Sequence, residues 1–165
     1  MKALSLWQPW ATLMALGLKK IETRSWGTKY RGPLAIHAAR RIEFFVHLRI
    51  QAALEEAGLH SADLPRGGII GTVDIVDCKE ITIANRPDYP EWAFGDYTPG
   101  RFMWITENAK PFKKIIPIAG FQRIFNVNDE LLRVCRVCGC SEFNACEGGC
   151  CWVEEDLCSA CVGKD

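Results

Sequence analysis

The sequence lacks several features that would place it in a specialised class of protein. It contains no run of about twenty apolar residues, so no segment is expected to span a membrane. Pro9 interrupts the apolar start, and basic residues rather than a small-residue cleavage site follow it, which argues against a signal peptide. No internal repeat or low-complexity run is present. The apolar fraction of 48% and the charged fraction of 24% are those of a globular chain.

Cysteine is almost absent before residue 135. Only Cys78 occurs there, and we expect it to be a small buried hydrophobic residue, whereas the other eight of the nine cysteines fall between residues 135 and 161. An odd total concentrated in CxxC pairs favours metal binding in a reducing compartment over a disulfide framework. We therefore expect a soluble cytoplasmic protein with one domain over residues 1–133 and a cysteine-rich module over residues 134–165.

The formal net charge of zero conceals an asymmetry along the chain. Residues 1–41 carry eight lysines or arginines against one acidic residue, whereas residues 134–165 carry two basic residues against six acidic ones. A basic front and an acidic back suggest two surfaces with different partners, although ordinary globular surfaces are also unevenly charged.

Hydrophobic patterning predicts an α+β fold, a small mixed β-barrel of short strands with two main helices. The first helix is expected to open at Gln8-Pro9 and to end at Gly17. Apolar residues at helical spacing from Ile42 to Ala57 predict a second and longer helix. The predicted strands are Lys2–Trp7, Lys19–Trp26, Leu34–Ala38, Ile69–Ile75 with a continuation towards Ile83, Phe102–Thr106 and Ile115–Ile118.

A charged and aromatic segment follows the first helix. If Lys19–Trp26 is a strand, Glu22, Arg24 and Trp26 share one face, because residues two apart point to the same side. Such a set can bind a base, since Trp stacks on it, Arg binds a phosphate or a base edge, and Glu accepts from an exocyclic amine. The alternative is a purely structural Glu22–Arg24 ion pair, with Trp10 and Trp26 in the core.

Neighbouring residues extend this set. Lys19 adds a second cation at the start of the predicted strand, and Gln8 and Trp10 lie at the N-terminus of the first helix, beside the same face. His37, between two apolar residues, is expected to be a hydrogen-bonded core residue rather than part of a cleft. The aromatic loop over residues 85–100 is expected to pack on the core rather than to form a stacking platform.

Two of these segments resemble the ASCH family, which belongs to the PUA-like superfamily. The family pattern has Gln-Pro-Trp-Ala at the first helix, then Gly-x-Lys-x-x-Glu-x-Arg-x-Trp. The two parts fall here on Gln8–Ala11 and Gly17–Trp26. The similarity runs over roughly residues 1–128 and continues at Arg31-Gly32, Ile36–Ala38, Phe94–Tyr97, Gly100–Trp104, Pro117 and Gly120.

The resemblance implies a PUA-like fold that binds RNA, another single-stranded nucleic acid or a nucleotide in a cleft near these segments. The ligand-binding residues would then be Gln8, Trp10, Lys19, Glu22, Arg24 and Trp26. An enzyme is the alternative, because similar small ASCH proteins hydrolyse N4-acetylcytidine with a lysine, a threonine and a glutamate. Lys19 matches that lysine, but Glu22 stands at the threonine position, so these two are candidate catalytic residues only if the protein is a hydrolase.

Two CxxC pairs predict a zinc site in the tail. Cys135, Cys138, Cys158 and Cys161 have the spacing C-x2-C-x19-C-x2-C, in which two hairpins can direct four thiolates at one tetrahedral ion. Gly139 follows the second of these cysteines and eases the backbone turn. About thirty residues cannot bury enough apolar surface to fold alone, so we expect the tail to need metal. An iron–sulfur cluster is the main rival centre.

Four further cysteines lie between those pairs. Cys140, Cys146 and Cys150, with or without Cys151, form either a second metal site, which can share a sulfur with the first, or a set of buried thiols. The tail resembles a cysteine-rich module of phage and bacterial proteins, and that resemblance implies no activity. A third possible function is therefore an adaptor, in which the acidic tail docks a protein partner.

Overall fold

The computed structural model describes residues 1–42 and 48–164. Within these ranges the helices are α1 (Trp10–Ala15) and α2 (Leu48–Glu56). The strands are β1 (Lys2–Gln8), β2 (Ile21–Arg24), β3 (Gly32–Ile42), β4 (Gly68–Glu80), β5 (Phe102–Ile116), β6 (Ile124–Asn126), β7 (Trp152–Glu154) and β8 (Leu157–Cys158). Neither described helix is long and apolar enough to cross a membrane.

Six strands form one sheet in the order β2-β5-β4-β3-β1-β6, and β7 pairs with β8 in the tail. The β1–β3 pair is parallel and the other pairs of the large sheet are antiparallel. Shifts of register between β4 and β5 bend these two long strands. The sheet is rolled, because Arg24 on the edge strand β2 donates to the carbonyl of Ser5 on β1, at 3.4 Å. The predicted α+β fold, with a small barrel-like sheet and two helices, is confirmed.

The core lies inside this rolled sheet. Helix α1 places Ala11, Met14 and Ala15 against apolar side chains of β1, β3, β4 and β5. Gly71 has no side chain where β4 passes close to β5, and a Cβ there would lie 2.7 Å from the carbonyl oxygen of Lys110. The fully buried Trp104 closes the same core from β5.

The end of α1 is set by Gly17, as predicted. Gly17 has a φ of +74°, in the left-handed region, and the N–H groups of Leu18 and Lys19 both turn back to the carbonyl of Leu13, at 2.9 and 3.0 Å. This compact turn delivers Lys19 to the start of β2, where it becomes part of the candidate site.

Some element boundaries differ from the prediction. The two expected closing strands are one continuous strand, β5. The prediction divided it because its middle is polar and exposed and carries little hydrophobic pattern. Strand β2 is shorter than predicted, so Lys19 and Trp26 flank it. Ile42 ends β3 instead of beginning a helix, and residues 43–47 of the predicted helix lie outside the described residues. The short strand β6 was not predicted.

Candidate functional site

Three charged side chains meet at the start of β2. Glu22 lies between two cations: its Oε2 is 3.5 Å from the Nζ of Lys19, and its Oε1 is 3.0 Å from the Nε of Arg24. Lys19 is 1% exposed and also donates to the carbonyl of Ile21. One carboxylate therefore balances two cations, which leaves one net positive charge in a largely desolvated place.

Strand pairing explains why Glu22 and Arg24 act together. In β2 they pair with Trp104 and Phe102 of β5, and residues two apart on a strand share a face. The predicted common face for Glu22 and Arg24 is therefore present. Trp26 lies beyond the end of the strand and packs edge-on against Trp104, with ring centroids 4.6 Å apart.

An open cleft of about 500 Å³ lies over this charged group. It runs between β1, β2, the side of α2 and the short 3₁₀ turn Glu91–Phe94. Three of the six predicted ligand-binding residues line it, Trp10, Glu22 and Arg24. The remaining lining residues are Ser5, Leu6, Trp7, Thr23, Ile50, Ala93, Phe94, Gly95 and Asp96.

The other three predicted residues do not line this cleft. The Gln8 amide is fully buried: its Nε2 donates to Thr12 Oγ1 and to the Pro65 carbonyl at 2.8 and 2.6 Å, and its Oε1 accepts from the backbone N–H of Thr12. Gln8 thus braces β1, α1 and the loop before β4. Trp26 is half-buried and packs against the core, and Lys19 lies behind Glu22, where it lines a neighbouring cavity.

Trp7 belongs to the cleft although the prediction did not select it. Its ring is 41% exposed, and the guanidinium carbon of Arg41 lies 4.3 Å from the ring centroid. The sequence does contain a signal for this role. Trp7 is a large apolar residue at an outward position of its strand, between Leu6 and Gln8, which point inward. An exposed aromatic beside a cation is a common partner for a base.

The aromatic segment after residue 85 is pinned to β2 rather than held apart as a platform. The Glu91 carboxylate accepts from the backbone N–H groups of Lys20 and Ile21 at 2.8 and 3.0 Å, and from the Tyr97 hydroxyl at 3.3 Å. Burial, reinforced by the Glu91 charge, raises the pKa of Tyr97 well above its usual range. Phe94 and Tyr97 pack in the core, as the sequence favoured, whereas Tyr89 and Trp92 are exposed. Phe94 and Asp96 also line the cleft.

His37 is a hydrogen-bonded core residue, as expected. Its Nε2 donates to the Ile118 carbonyl at 3.0 Å, so its Nδ1 accepts from the Ser5 hydroxyl at 3.1 Å. Burial lowers the pKa of His37, while the bond to Ile118 works in the opposite direction. The lowered pKa favours the neutral ring, and a proton on Nε2 is compatible with both hydrogen bonds.

The cysteines of the tail gather in one buried cluster. Two groups have sulfurs that all lie within 4.8 Å of one another and can hold a metal ion. The first group is Cys135, Cys138, Cys140 and Cys158, and the second is Cys140, Cys146, Cys150 and Cys158. Cys161 is buried in the same cluster, whereas Cys151 is exposed.

Local backbone geometry shapes this cluster. Gly139 has a φ of +72° and its N–H donates to the Cys135 carbonyl, so it provides the turn predicted after the first CxxC pair. The N–H of Cys140 then donates to the sulfur of Cys138 at 3.5 Å, which lowers the pKa of Cys138 to about 5. Burial raises the pKa of Cys140, and the contact with Cys138 raises that of Cys146 to about 12. The lowered pKa favours the thiolate form of Cys138, which is the form that binds a metal cation.

The tail packs against the end of β5. The Asn144 side chain donates to the Ile115 carbonyl at 2.9 Å, and Lys113 donates to the Val137 carbonyl. The guanidinium of Arg133 lies 4.3 Å from the centroid of the Trp152 ring. The cluster is therefore anchored to the sheet through polar contacts inside the first CxxC pair and after it.

Comparison with known proteins agrees with this architecture. The crystal structure of ASCH from Zymomonas mobilis superposes with a TM-score of 0.53 at 15% identity, over 79% of this chain and 90% of that one, which is a likeness of fold. The ASCH domain profile matches residues 4–116, more than half of the chain. The chain belongs to the ASCH domain family.

The chain is also 28% identical over 138 residues to activating signal cointegrator 1 of Homo sapiens and of Mus musculus. The similarity covers 78% of this chain but 22% of those proteins, so it spans about a fifth of their length. The profile match ends at residue 116, before the first cysteine of the tail.

Proposed function

We propose that this protein binds single-stranded nucleic acid, RNA in the first place, in the cleft between β1, β2 and the Glu91–Phe94 turn. The observation that carries the proposal is the charged group at the cleft, where one Glu22 carboxylate holds both Lys19 and Arg24 beside an exposed tryptophan. A nucleotide alone would occupy part of the same site. The family membership is consistent with a nucleic-acid-related protein.

The charge of this group suits an anionic ligand. Lys19 is buried and Arg24 is about one third exposed, so the excess positive charge is directed to the cleft through the Arg24 guanidinium. A guanidinium forms two-pronged hydrogen bonds to phosphate, which are stronger than those of a neutral donor. Glu22 and Ser5 hold Arg24 in place before the ligand arrives, which lowers the entropic cost of binding.

The aromatic walls suit bases. Trp7 and Trp10 stand on the cleft beside Phe94, and stacking of a base on an aromatic ring is worth roughly 1–3 kcal/mol. Stacking tolerates any base, so the site favours single strands with limited sequence preference. A duplex keeps its bases inside the helix, so it could contact the charged side chains of the cleft through its phosphates but could not stack on the tryptophans.

The position of Lys19 supports binding over hydrolysis. Its ammonium is 1% exposed, donates to the Ile21 carbonyl and faces Glu22, and it does not line the cleft. A nucleophile must reach the reacting atom, and a base must reach the proton that it removes. Lys19 instead fixes Glu22, which in turn fixes Arg24.

We further propose that the tail, residues 134–165, is a zinc-held module of a cytoplasmic protein. Thiolate ligands select zinc or iron–sulfur clusters, and four sulfurs within 4.8 Å of one another suit a single tetrahedral ion. Its acidic surface is available for a protein partner, but Arg136 pairs with Glu154 at 2.9 Å and with Asp156, which neutralises part of that charge.

Binding is tested by fluorescence anisotropy with a labelled single-stranded RNA, the matching DNA strand and the RNA duplex. Arg24→Ala is expected to weaken RNA binding about tenfold or more, because it removes a charge-assisted contact. Trp7→Ala is expected to weaken it about tenfold by loss of stacking. The matched controls are Lys164→Ala and Phe143→Ala, exposed residues of the tail that should change affinity less than twofold.

Three results would contradict the proposal. Equal losses from Arg24→Ala and Lys164→Ala would indicate diffuse charge attraction without a cleft. Tighter binding of the duplex than of the single strand would show that bases do not stack on the aromatic residues of the cleft. Turnover of N4-acetylcytidine by the wild type, abolished in Lys19→Arg, would make the protein a hydrolase.

A further inference from the structure

The inner cysteines of the tail lie too close to the CxxC pairs to be a separate set. The sulfurs of Cys138, Cys146 and Cys158 form a nearly equilateral triangle, with separations of 3.6, 3.7 and 3.8 Å. Cys146 belongs to the segment between the two pairs, yet it contacts one sulfur from each pair. The sulfurs of Cys140 and Cys150, both inner cysteines, are 3.7 Å apart.

Three of these separations are edges of the two sulfur groups: Cys138–Cys158 in the first, and Cys146–Cys158 and Cys140–Cys150 in the second. The Cys138–Cys146 contact joins the two groups. Four sulfurs bound ~2.3 Å from one zinc ion lie about 3.8 Å apart along each edge of the tetrahedron. Disulfide bonding is excluded as the origin of the contacts, because the sulfurs of a disulfide are ~2.05 Å apart and all of these cysteines are free. Thiols in van der Waals contact have similar separations, so the argument for metal comes from the four sulfurs of each group, which all lie within 4.8 Å of one another.

The two groups of four sulfurs overlap. Cys140 and Cys158 are members of both groups, whereas Cys135 and Cys138 belong only to the first, and Cys146 and Cys150 only to the second. Two tetrahedral ions need eight ligand positions. The six cysteines of these groups fill eight positions only if two sulfurs each bind both ions, and Cys161, which is buried in the same cluster, belongs to neither group.

We infer that the tail holds one two-metal cluster, in which two zinc ions are joined through the sulfurs of Cys140 and Cys158. The inference rests on the proposed assignment of zinc to the tail and specifies the form that the metal takes. It replaces the single four-cysteine site expected from spacing. In this cluster Cys140 takes the place beside Cys135, Cys138 and Cys158 that spacing assigned to Cys161.

The surroundings suit the charge of such a cluster. Two Zn²⁺ ions and six thiolates carry two net negative charges, which need nearby donors and cations. The N–H groups of Cys140 and Cys146 donate to the sulfurs of Cys138 and Cys150, at 3.5 and 3.4 Å. Lys113 reaches the Val137 carbonyl, between the first two cysteines, and so brings a positive charge to the edge of the cluster.

The decisive experiment uses the full chain purified under reducing conditions without chelators. Elemental analysis is expected to give two zinc ions per chain. After exchange with ¹¹³Cd²⁺, the NMR spectrum is expected to show two cadmium resonances, each split by the other, because scalar coupling between the ions passes through a shared sulfur. This coupling reports bridging directly and does not depend on any variant folding correctly.

Three variants locate the bridge. Cys150→Ser removes a ligand of the second ion only, so it is expected to retain one ion per chain. Cys158→Ser removes a ligand of both ions, so both should be lost or weakened together. Cys151→Ser is the matched control, because Cys151 is adjacent in sequence but belongs to neither group and is exposed, so two ions should remain.

Several outcomes would overturn the inference. One zinc ion per chain would refute the cluster but leave the zinc module of the proposed function standing. Two uncoupled cadmium resonances would show two independent sites and refute the bridge alone. No metal, or a coloured iron centre, would refute both the cluster and the zinc assignment, while RNA binding measured on the same preparation tests the cleft separately.

Discussion

The sheet region and the tail are stabilised in different ways. The sheet buries many large apolar side chains between α1 and its rolled inner face, among them Trp104, Ile36 and Met14. In the tail, the fully buried hydrophobic cluster consists of four cysteines and Leu157. A segment of about thirty residues has too little apolar surface to offset its conformational entropy, so sulfur–metal bonds have to replace hydrophobic burial there.

The two regions also build their sites differently. The cleft collects residues from β1, α1, β2, α2 and the Glu91–Phe94 turn, which are far apart in sequence. The cysteine cluster takes every ligand from residues 135–161, and short turns such as the one at Gly139 bring them together. The cleft therefore depends on the whole sheet, whereas the cluster depends on local turns and on metal.

Removal of metal should separate the two regions most strongly. A strong chelator under reducing conditions is expected to unfold the tail and leave the sheet folded, because zinc contributes roughly 10–16 kcal/mol to small thiolate sites. Hydrogen exchange read by mass spectrometry should show loss of protection after about residue 134 and unchanged protection in β3 and β4. Cys158→Ser, which removes a member of both sulfur groups, should behave in the same way without chelator.

The sheet and the tail would not be independent if chelation removed hydrogen-exchange protection from both. That result would mean that contacts such as Asn144 to Ile115 are essential to the sheet, and that one cooperative unit spans the chain. Protection of the tail that survives complete metal removal would equally contradict the view that metal holds it.

Substitution of Gly139, where the tail contacts β5, should have the next largest effect on the stability of the tail. Gly139→Ala places a side chain at a φ of +72°, and its Cβ would lie 2.5 Å from the Cβ of Lys113 on β5. Backbone strain of about 1 kcal/mol and this clash should together cost on the order of 2–3 kcal/mol. The measurement is the chelator concentration, or the temperature, at which the tail loses its metal.

Gly148→Ala is the matched control for this change. Gly148 has a φ of +80°, so an alanine there carries similar strain, but nothing lies within 4 Å of the added Cβ. We expect a smaller loss, about 1 kcal/mol. Equal effects of the two substitutions would show that contact between the tail and β5 adds nothing to the stability of the tail.

Acidification should weaken the sheet through His37. Burial holds the pKa of His37 below that of the unfolded chain, so the unfolded state binds the proton more tightly. Its contribution to stability is complete above the unfolded value of about 6.5 and decreases as the pH falls towards the lower folded value. Urea unfolding of the sheet across this range should show the decrease, and His37→Gln should flatten it.

His60→Gln provides the control for this pH dependence, because His60 is exposed and should change the profile little. A decrease that is the same in both variants would assign the effect to carboxylates or cysteines instead of His37.

Sequence reasoning found the elements with strong local patterns. The periodicity of β1, β3 and β4 and the glycine after α1 predicted their positions, and CxxC spacing predicted where sulfurs gather. Strand β5 was divided because residues 107–114 are mostly polar, and its continuity comes from pairing with β4 over its whole length. Such pairing is a tertiary effect that a local pattern does not contain.

The candidate site was predicted in part for a similar reason. Alternation along β2 placed Glu22 and Arg24 together, but no local rule could show that Gln8 would turn inward to the Pro65 carbonyl. That contact joins residues 57 positions apart. Likewise, spacing predicted Cys161 as the fourth ligand of one tetrahedron. That assignment stays a prediction, because Cys161 is buried in the same cluster while Cys140 shares a sulfur group with Cys135, Cys138 and Cys158.

The smallest expected effect concerns the one cysteine of the sheet. Cys78 packs at the edge of the apolar core, and its sulfur accepts a hydrogen bond from the N–H of Thr28 at 3.3 Å. Cys78→Ala should therefore cost only about 1 kcal/mol, the value of one weak hydrogen bond and a small lost contact. Because Cys78 belongs to neither sulfur group, the metal content of the protein should not change. The same substitution at Cys158, a member of both sulfur groups, should remove metal and unfold the tail. Urea unfolding of the sheet and elemental analysis of both variants make the comparison, and any loss of zinc in Cys78→Ala would show that the sheet and the tail share the metal.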